Sequence, residues 1–340
     1  FSRLLRFEYG SDTFYSNMVR LSLKRWKNLE GVAGRTLYTP TGLLVLGNEH
    51  DMFTQSSYQV VRALGLPSEL LSKEDCELRF PQFDTQHFDI RTYNPDAGIL
   101  HASTCLQTLR DLVLYNGGEI YESCRVTKLI SDSQFHPVQL RLSTGTEISA
   151  DRVVLATGSW IHRLLSDLYI PVRMTRQYML YFAGLHCSLY SAGAFPAFFA
   201  GDLYGLPIHQ GCNGWVKATS HELGVPTDPD KVTPPDDQVV AGIARKLREL
   251  LPALGHAEIA RIDSCMYDVT PDENFILDRL PYDPRVIFAS GLSGHGFKFG
   301  LLLGELLCSM VCDTHPPVPL ERFRLSRFAH QQERQRTSVA

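Results

Sequence analysis

The chain has 340 residues, of which 44% are hydrophobic and 21% are charged, and its formal net charge is -4 at pH 7. These values are typical of a globular protein with room for two domains, and they exclude a chain that binds nucleic acid through an overall basic surface. No apolar run approaches the roughly 18 residues that cross a membrane. The 8 cysteines include no CxxC pair, which indicates reduced thiols in an intracellular compartment.

Apolar periodicity predicts alternating helices and strands in the first half of the chain. The predicted elements are helices over 17–29 and 103–115 and strands over 38–47, 119–130, 140–148 and 153–156. The last of these strands runs through Thr157-Gly158 into I-H-R-L-L, which predicts the start of a helix. A strand–glycine–helix turn of this kind brings backbone N–H groups close to a ligand.

The second half of the chain begins with a segment, 171–214, in which aromatic residues alternate, and this predicts an antiparallel sheet. The predicted elements beyond it are a loop over 226–237, a helix over 239–251, a short buried strand over 285–289 and a helix over 301–311. Because α/β segments flank a strand-rich middle, we expect an α/β domain that is interleaved with an α+β antiparallel-sheet domain.

A glycine-rich stretch, S-G-L-S-G-H-G-F-K-F-G, extends from Ser290 to Gly300 between the predicted strand and the last predicted helix. Glycines let the backbone approach a phosphate or a ring edge, and a helix N-terminus favours negative charge. The pattern therefore predicts a cofactor contact. A plain loop that leads into a helix cap is the structural alternative.

Other polar positions each have an ordinary structural interpretation beside a functional one. Cys265, in S-C-M-Y-D-V-T, is by itself typical of a small buried apolar residue, and Tyr267 of a core residue. Lys217 and His221, in W-V-K-A-T-S-H, would point to one side of a strand, where they face either a cavity or solvent. The arginines of S-R-L-L-R are typical of surface charges. We find no Ser-His-Asp set and no zinc-ligand spacing.

Together these motifs resemble a known family. The run C-M-Y-D-V-T-P-D-E-N-F-I-L-D-R-L-P, followed by G-L-S-G-H-G-F-K-F, closely resembles the monomeric sarcosine oxidase family, which includes N-methyltryptophan oxidase and L-pipecolate oxidase among the D-amino-acid-oxidase-like flavoproteins. Further matching words are S-R-L-L-R-F-E-Y-G, T-G-L-L-V-L-G, R-V-V-L-A-T-G-S-W, Y-G-L-P and V-K-A-T-S-H. The resemblance covers essentially the whole chain and is weakest over 183–200 and after Gly224.

The resemblance implies two discontinuous domains. A Rossmann-like FAD-binding domain, incomplete at its N-terminus, is expected over 1–35, 91–167 and 265–340. A substrate domain with an antiparallel sheet is expected over 36–90 and 168–264.

The resemblance also implies roles for matching residues. Cys265 matches the cysteine that bonds the flavin as a thioether, and Lys217 matches the lysine above the flavin ring that promotes the reaction with oxygen. Arg6 and Lys298 match the residues that hold the substrate carboxylate. The residues that match the substrate amine site are Tyr204, His221 and Tyr267. The further residues expected next to FAD are Arg3, Val126, Gly158, Trp160, Gly291, Gly294, His295, Gly296, Phe297 and Lys298.

The implied activity is FAD-dependent oxidation of a secondary or N-methyl amino acid, such as sarcosine or pipecolate, to an imine, with O₂ reduced to H₂O₂. Two alternatives stay open: a flavin dehydrogenase with another electron acceptor, and a non-catalytic protein that keeps the fold. We expect a monomer without metal, nucleic-acid or membrane partners. The C-terminal Ser338-Val339-Ala340 is not an S-K-L type signal, so the cytoplasm is the default compartment. A peroxisome stays open as the alternative.

One expected motif is missing from the sequence. The family begins with a strand and G-x-G-x-x-G, which holds the FAD pyrophosphate. The nearest glycines here, in G-V-A-G over 31–34, have the wrong spacing. Either the sequence is a fragment, which the initial Phe1 favours, or it is a short form that binds FAD poorly. We expect the fragment.

Overall fold

The computed structural model describes residues 1–131 and 136–329 of the chain, so the C-terminal Ser338-Val339-Ala340 lies outside the described residues. The α-helices of this part are α1 (Thr13–Ala33), α2 (Met52–Ala63), α3 (Lys73–Arg79), α4 (Ala102–Tyr115), α5 (Ile161–Leu164), α6 (Cys187–Tyr190), α7 (Asp237–Leu250) and α8 (Gly300–Cys312). Short 3-10 turns are formed by Gly158–Trp160, Pro252–Gly255, Phe297–Phe299, Glu321–Phe323 and Leu325–Phe328.

The strands of the described part, in chain order, are β1 (Arg3–Leu5), β2 (Tyr38–Thr39), β3 (Leu43–Gly47), β4 (Glu69–Leu70), β5 (Ile90–Asn94), β6 (Gly98–Leu100), β7 (Val126–Ile130), β8 (Val138–Leu142), β9 (Glu147–Ala150), β10 (Val153–Leu155), β11 (Arg173–Ala183), β12 (Ala197–Ala200), β13 (Leu203–Leu206), β14 (Val216–Ser220), β15 (Val225–Pro226), β16 (Glu258–Val269), β17 (Ile276–Leu280) and β18 (Asp283–Ser290).

The long helices have residues that fix their ends. The carboxylate of Asp12 accepts a hydrogen bond from Tyr15 N at 3.1 Å and begins α1, and Gly34 ends that helix with a φ of 62°. The carboxylate of Asp236 accepts hydrogen bonds from two backbone N–H groups at the start of α7. Side-chain caps satisfy N–H groups that have no partner inside the helix, so these residues place the helix ends.

The predicted helices over 17–29, 103–115, 239–251 and 301–311 are confirmed as α1, α4, α7 and α8. Some predicted strands are wrong in extent. The segment 38–47 forms two strands because the chain turns at Gly42, whose φ is +70°. The segment 140–148 holds a hairpin turn at Gly145, whose φ is +87°. Such values favour glycine, and they interrupt a regular strand.

The structure divides into two compact units, each assembled from separate stretches of chain. Unit 1 consists of Phe1–Asn116, Gln177–Leu223 and Thr233–Cys265. Unit 2 consists of Gly117–Arg176, Gly224–Val232 and Met266–Ala340. The predicted FAD-binding and substrate domains are defined by the ligand that each would bind, whereas these units are defined by compactness. The predicted division therefore stays a prediction.

Unit 1 is built on a sheet with the strand order β11-β14-β13-β12-β3-β5-β4. The later residues of β11 belong to this unit. Strand β16 also pairs with β11. Strands β12 and β3 run parallel, with Phe198 opposite Leu44, whereas β13 and β14 are antiparallel. A buried apolar cluster joins this sheet to α7 through residues such as Phe198, Ala218 and Leu247. A smaller sheet with the order β1-β6-β2 holds the first strand of the chain.

Unit 2 contains a sheet with the strand order β10-β18-β17 and an antiparallel sheet with the order β7-β8-β9. Strands β10 and β18 run parallel, with Val153 opposite Val286. Both strands lead into glycine turns, at Gly158 and at Gly291. Because parallel strands end at the same edge of a sheet, the two turns lie where α/β proteins bind ligands.

No helix in the described part of the chain is long and apolar enough to cross a membrane.

Candidate functional site

The guanidinium of Arg6 lies in an aromatic cage in unit 1. Its Cζ is 4.9 Å from the ring centre of Tyr9, 5.6 Å from that of Phe53 and 4.8 Å from that of Phe199. The residue is only 8% exposed, and its Nη1 is buried without a hydrogen-bond partner among the described residues. A buried cation normally has a partner for each donor, so this nitrogen is suited to an anionic ligand.

A carboxyl group next to Arg6 is already fully engaged. Glu8 is 3% exposed, and its two oxygens accept hydrogen bonds from Phe7 N and from Asn94 Nδ2, each at 2.9 Å. Burial raises the pKa of Glu8, while the bond from Asn94 and the charge of Arg6 oppose that rise. Glu8 therefore supports the local backbone and lies within electrostatic reach of Arg6.

Phe199 connects the cage to two predicted amine-site residues. Its ring centre is 6.0 Å from that of His221, and Tyr204 stands opposite Phe199 in the pairing of β12 with β13. The rings of Tyr204 and His221 meet edge to face at 6.1 Å. The structure therefore brings Arg6, Tyr204 and His221 together within unit 1, around a residue that local sequence reasoning did not single out.

Lys217 is buried in β14 at 3% exposure. Its Nζ donates a hydrogen bond to Ser2 O at 2.8 Å, and Arg3 Nη1 donates to the same oxygen at 3.0 Å. Burial, and then the charge of Arg3, lowers the pKa of Lys217 to about 7. The ammonium group is thus close to its titration point at neutral pH, which is the usual consequence of removing a lysine from water.

Cys265, on β16, lies within electrostatic reach of the same two cations. Burial raises the pKa of its thiol, while the charges of Arg3 and Lys217 lower it and Asp263 raises it. The structure therefore groups Arg3, Lys217 and Cys265 in unit 1. The cysteines of the described part of the chain are free of disulfides.

The glycine-rich stretch packs against the segment D-V-T, which extends from Asp268 to Thr270, in unit 2. The carboxylate of Asp268 accepts a hydrogen bond from Gly291 N at 2.7 Å, and Asp268 O accepts one from Ser293 N at 3.0 Å. Burial raises the pKa of Asp268, and the bonds from the backbone oppose that rise. Gly291 has a φ of +66°, and a Cβ there would lie 2.3 Å from the Thr270 methyl carbon.

Tyr267 packs against the backbone of the same turn. A Cβ at Gly294 would lie 2.3 Å from a ring carbon of Tyr267, and the φ of Gly294 is +75°. The side chain of Leu292 lies against Gly296 in the same way, 2.7 Å from the position of a Cβ. Gly294 is therefore required both by backbone conformation and by close packing. Gly296, whose φ is -70°, is required by close packing alone.

The basic residues of the turn point to neighbouring parts of unit 2. Lys298 is 5% exposed, and its Nζ donates to His295 O at 3.3 Å. The ring of His295 lies 4.7 Å from that of Phe275, and its Nε2 is 3.1 Å from Glu273 O. Phe297, which is half-buried, begins the 3-10 turn that carries Lys298.

The turn after β10 lies at the same sheet edge of unit 2 as the turn at Gly291. Gly158 has a φ of +52° and open space where a Cβ would stand. Thr157 Oγ1, next to it, is buried without a partner among the described residues. Trp160 is 41% exposed, and its Nε1 donates to Asp230 at 2.9 Å. Val126 lies instead on the separate antiparallel sheet, opposite Leu142.

Sequence reasoning missed several of these groups. Phe199 falls in the segment where the resemblance is weakest, and Tyr9 and Phe53 carry no local signal. Thr157 stands at the strand–glycine turn that the sequence did identify, and its position after a buried strand was the available signal. Among the described residues no group of three His, Cys, Asp or Glu side chains could hold a metal ion.

The family model described as FAD dependent oxidoreductase matches residues 2–310 of the chain. A peroxisomal sarcosine oxidase of Mus musculus is 31% identical over 96% of this chain and 85% of its own length. A monomeric sarcosine oxidase of Bacillus sp. (strain B-0618) is 27% identical over 99% and 88%. An N-methyl-L-tryptophan oxidase of Yersinia pestis (strain Pestoides F) is 31% identical over 96% and 87%. These similarities confirm the predicted resemblance.

Among solved structures, an L-proline dehydrogenase from P.horikoshii superposes with a TM-score of 0.84 at 18% identity, over 96% of this chain and 86% of its own. At this identity the likeness concerns the fold alone. It confirms the predicted fold class, in which α/β segments are combined with an antiparallel sheet.

Replacing Gly294 with alanine tests the packing of the turn. We expect Gly294→Ala to destabilise the protein by about 2–4 kcal/mol, because it adds both an unfavourable φ and an overpacked contact with Tyr267. The matched control is Gly145→Ala, where φ is +87° and no atom lies within 4 Å of the new Cβ. That change should cost only about 1–2 kcal/mol. Urea unfolding measures both, and equal losses would contradict the packing argument.

Proposed function

The chain belongs to the FAD dependent oxidoreductase family, and from this premise we propose that it oxidises a secondary or N-methyl amino acid with oxygen as the electron acceptor. The products are an imine, which water hydrolyses, and hydrogen peroxide. The substrates we propose to test first are sarcosine, pipecolate and proline-like cyclic imino acids.

The unpartnered Nη1 of Arg6 is the observation that carries the proposal. A guanidinium that is 8% exposed and enclosed by aromatic rings is matched in charge and geometry by one carboxylate. Tyr9, Phe53 and Phe199 would pack against the carbon skeleton of the same ligand. An amino acid has both parts, a carboxylate and an adjoining apolar chain.

The positive charge of Arg6 also bears on the amine of the substrate. A nearby cation disfavours an ammonium group, so a bound amino acid more readily presents its neutral amine. Only the neutral amine can release electrons from the adjacent carbon. We propose that Tyr204 and His221, whose rings lie edge to face at 6.1 Å, line the space for that amine, as the resemblance implies.

Lys217 is the residue that we propose for the reaction with oxygen. When O₂ accepts electrons it gains negative charge, and a buried ammonium stabilises that charge more than an exposed one does. A pKa of about 7 leaves a large fraction of Lys217 protonated at neutral pH. The lysine can therefore act as a cation without the full desolvation cost of a permanently charged group.

FAD is the cofactor that family membership implies, and when bound it accepts electrons from the substrate and passes them to the acceptor. The residues of unit 1 that we propose next to it are Arg3, Lys217 and Cys265. In unit 2, the open backbone at Gly158 and the unpartnered Thr157 Oγ1 suit a polar part of a dinucleotide. We propose, from the resemblance, that Cys265 attaches the flavin covalently.

The other roles and properties that the resemblance implies are also part of the proposal. They are a carboxylate contact from Lys298, cofactor contacts from Val126, Trp160 and the glycine-rich turn, a substrate contact from Tyr267, a monomeric state and the compartment. Lys298 lies in unit 2, so its contribution is tested separately from that of Arg6.

The carboxylate role of Arg6 gives a binding prediction. Arg6→Met should weaken the binding of a simple monocarboxylate inhibitor by about 10- to 100-fold, because a charge-assisted hydrogen bond is lost. Arg62→Met is the control, since Arg62 also lies over an aromatic ring, that of Tyr58 at 5.7 Å, but is exposed. Titration followed by flavin absorbance gives both constants. An unchanged constant for Arg6→Met would place the carboxylate elsewhere.

The attachment role of Cys265 gives a mass prediction. The native gene product, denatured and measured intact, should carry one flavin that maps to the Cys265 peptide. Cys265→Ser should release its flavin on denaturation, because the hydroxyl does not replace the thioether. Cys124→Ser, a change of another partly exposed cysteine, should retain it. Flavin that stays bound covalently in Cys265→Ser would exclude this attachment.

The oxidase function itself is tested by following oxygen uptake and peroxide release with the three substrate types. In rapid-mixing experiments Lys217→Met should slow the reaction with oxygen by about 100-fold and leave reduction by substrate nearly unchanged. The exposed Lys128→Met should alter neither rate. Turnover with an artificial acceptor but without oxygen uptake would instead indicate a dehydrogenase. No turnover with either acceptor would favour the non-catalytic alternative.

A further inference from the structure

His209 occupies the segment between β13 and β14, ahead of Lys217 in the chain, and its ring makes two defined polar contacts. Nδ1 is 2.8 Å from Gln210 O, and Nε2 is 3.0 Å from Ser2 Oγ. A carbonyl oxygen can only accept a hydrogen bond, so Nδ1 carries a proton and donates. Burial lowers the pKa of His209 to about 4, so the ring is neutral at pH 7. In a neutral ring Nε2 accepts, which makes the Ser2 hydroxyl the donor.

Ser2 is held at both of its polar ends. The residue is completely buried, its hydroxyl is fixed by His209, and its carbonyl oxygen accepts from Lys217 Nζ at 2.8 Å and from Arg3 at 3.0 Å. A shift of Ser2 would therefore move the acceptor to which both cations are bonded. Lys217 is 3% exposed, so water contributes little to its hydrogen bonding and its direction depends on this oxygen.

The other groups around His209 have contacts of their own. The ring of His101 meets it edge to face at 5.3 Å, but His101 Nε2 is engaged with Thr39 Oγ1 at 2.8 Å. The charges of His101 and Lys217 both disfavour a protonated His209. The surroundings therefore keep His209 as the neutral acceptor that the contact with Ser2 requires.

We propose that His209 is the positioning residue of Lys217: its neutral imidazole accepts a hydrogen bond from the Ser2 hydroxyl and so holds the Ser2 carbonyl against the lysine. The link to the oxygen reaction rests on the function proposed above, whereas the positioning concerns this chain alone. His209 acts through Ser2 and is assigned no contact with substrate or cofactor.

The positioning is tested by the rate at which Lys217 is reductively methylated, read from its peptide by mass spectrometry. His209→Phe keeps a ring but removes the acceptor, and Ser2→Ala removes the donor but keeps the carbonyl. Each should raise the rate constant about fivefold, the effect of losing a hydrogen bond worth about 1 kcal/mol. The double variant should be no faster than either single variant, because both changes break the same contact.

Two further variants separate this contact from general packing. His209→Gln restores an acceptor and should return the rate towards that of the unchanged protein. His101→Phe, which alters the neighbouring ring, should leave it unchanged. Unchanged rates in both His209→Phe and Ser2→Ala, or effects that multiply in the double variant, would overturn the proposal.

A measurement on the unchanged protein covers the case in which the variants do not fold. Nitrogen-15 NMR of its histidines should show His209 neutral at pH 7 with the proton on Nδ1. A proton on Nε2, or a charged ring at that pH, would overturn the proposal.

Rapid-mixing kinetics keep the two proposals distinguishable. Slower reaction with oxygen in His209→Phe, with unchanged reduction by substrate, would join the positioning to the oxygen reaction. Faster methylation with an unchanged oxygen rate would uphold the positioning and count against the oxygen role of Lys217.

Discussion

A buried ammonium group must keep a hydrogen-bond acceptor, and Lys217 finds its acceptor in the backbone of Ser2. Removing a lysine from water is costly, and a carbonyl oxygen returns only part of that cost, which is why the pKa of Lys217 lies far below its usual value. The first strand must therefore be placed accurately. Its pairing with β6, in which Arg3 stands opposite Leu100, provides that placement.

The groups of segment 2–6 lie in two different electrostatic environments. The carbonyl of Ser2 meets two cations, whereas the side chain of Arg6, just past the strand, enters a cage of aromatic rings. The faces of those rings attract a cation without neutralising it, so Arg6 keeps the ability to bind an anion. Lys217, in contrast, is near its titration point. A guanidinium that is always charged agrees with the carboxylate role proposed for Arg6, and a buried amine with a lowered pKa agrees with the oxygen role proposed for Lys217.

Sequence reasoning found the long helices because their apolar periodicity and caps are local. It also placed Lys217 and His221 on one strand, but β14 ends at Ser220, so His221 lies just past the strand. It could not find Phe199 beside Arg6, because a contact across about 190 positions leaves no periodic trace. Similarly, the split of 38–47 depends on a turn at Gly42, where a Cβ would lie 2.1 Å from the hydroxyl oxygen of Tyr93. The pairing of Ser2 with His209 is non-local for the same reason.

The two sequence segments that carry the resemblance pack against each other. The D-V-T word and the glycine-rich stretch are separated along the chain, yet Asp268 accepts from Gly291 N, and the ring of Tyr267 lies where Gly294 has no side chain. A substitution in either segment would thus strain the other. Packing alone therefore explains why the two segments occur together. Cys265 belongs to unit 1, whereas Lys298 belongs to unit 2. The fold alone accounts for the glycines and Asp268, whereas the chemical roles of Cys265 and Lys298 belong to the proposed function.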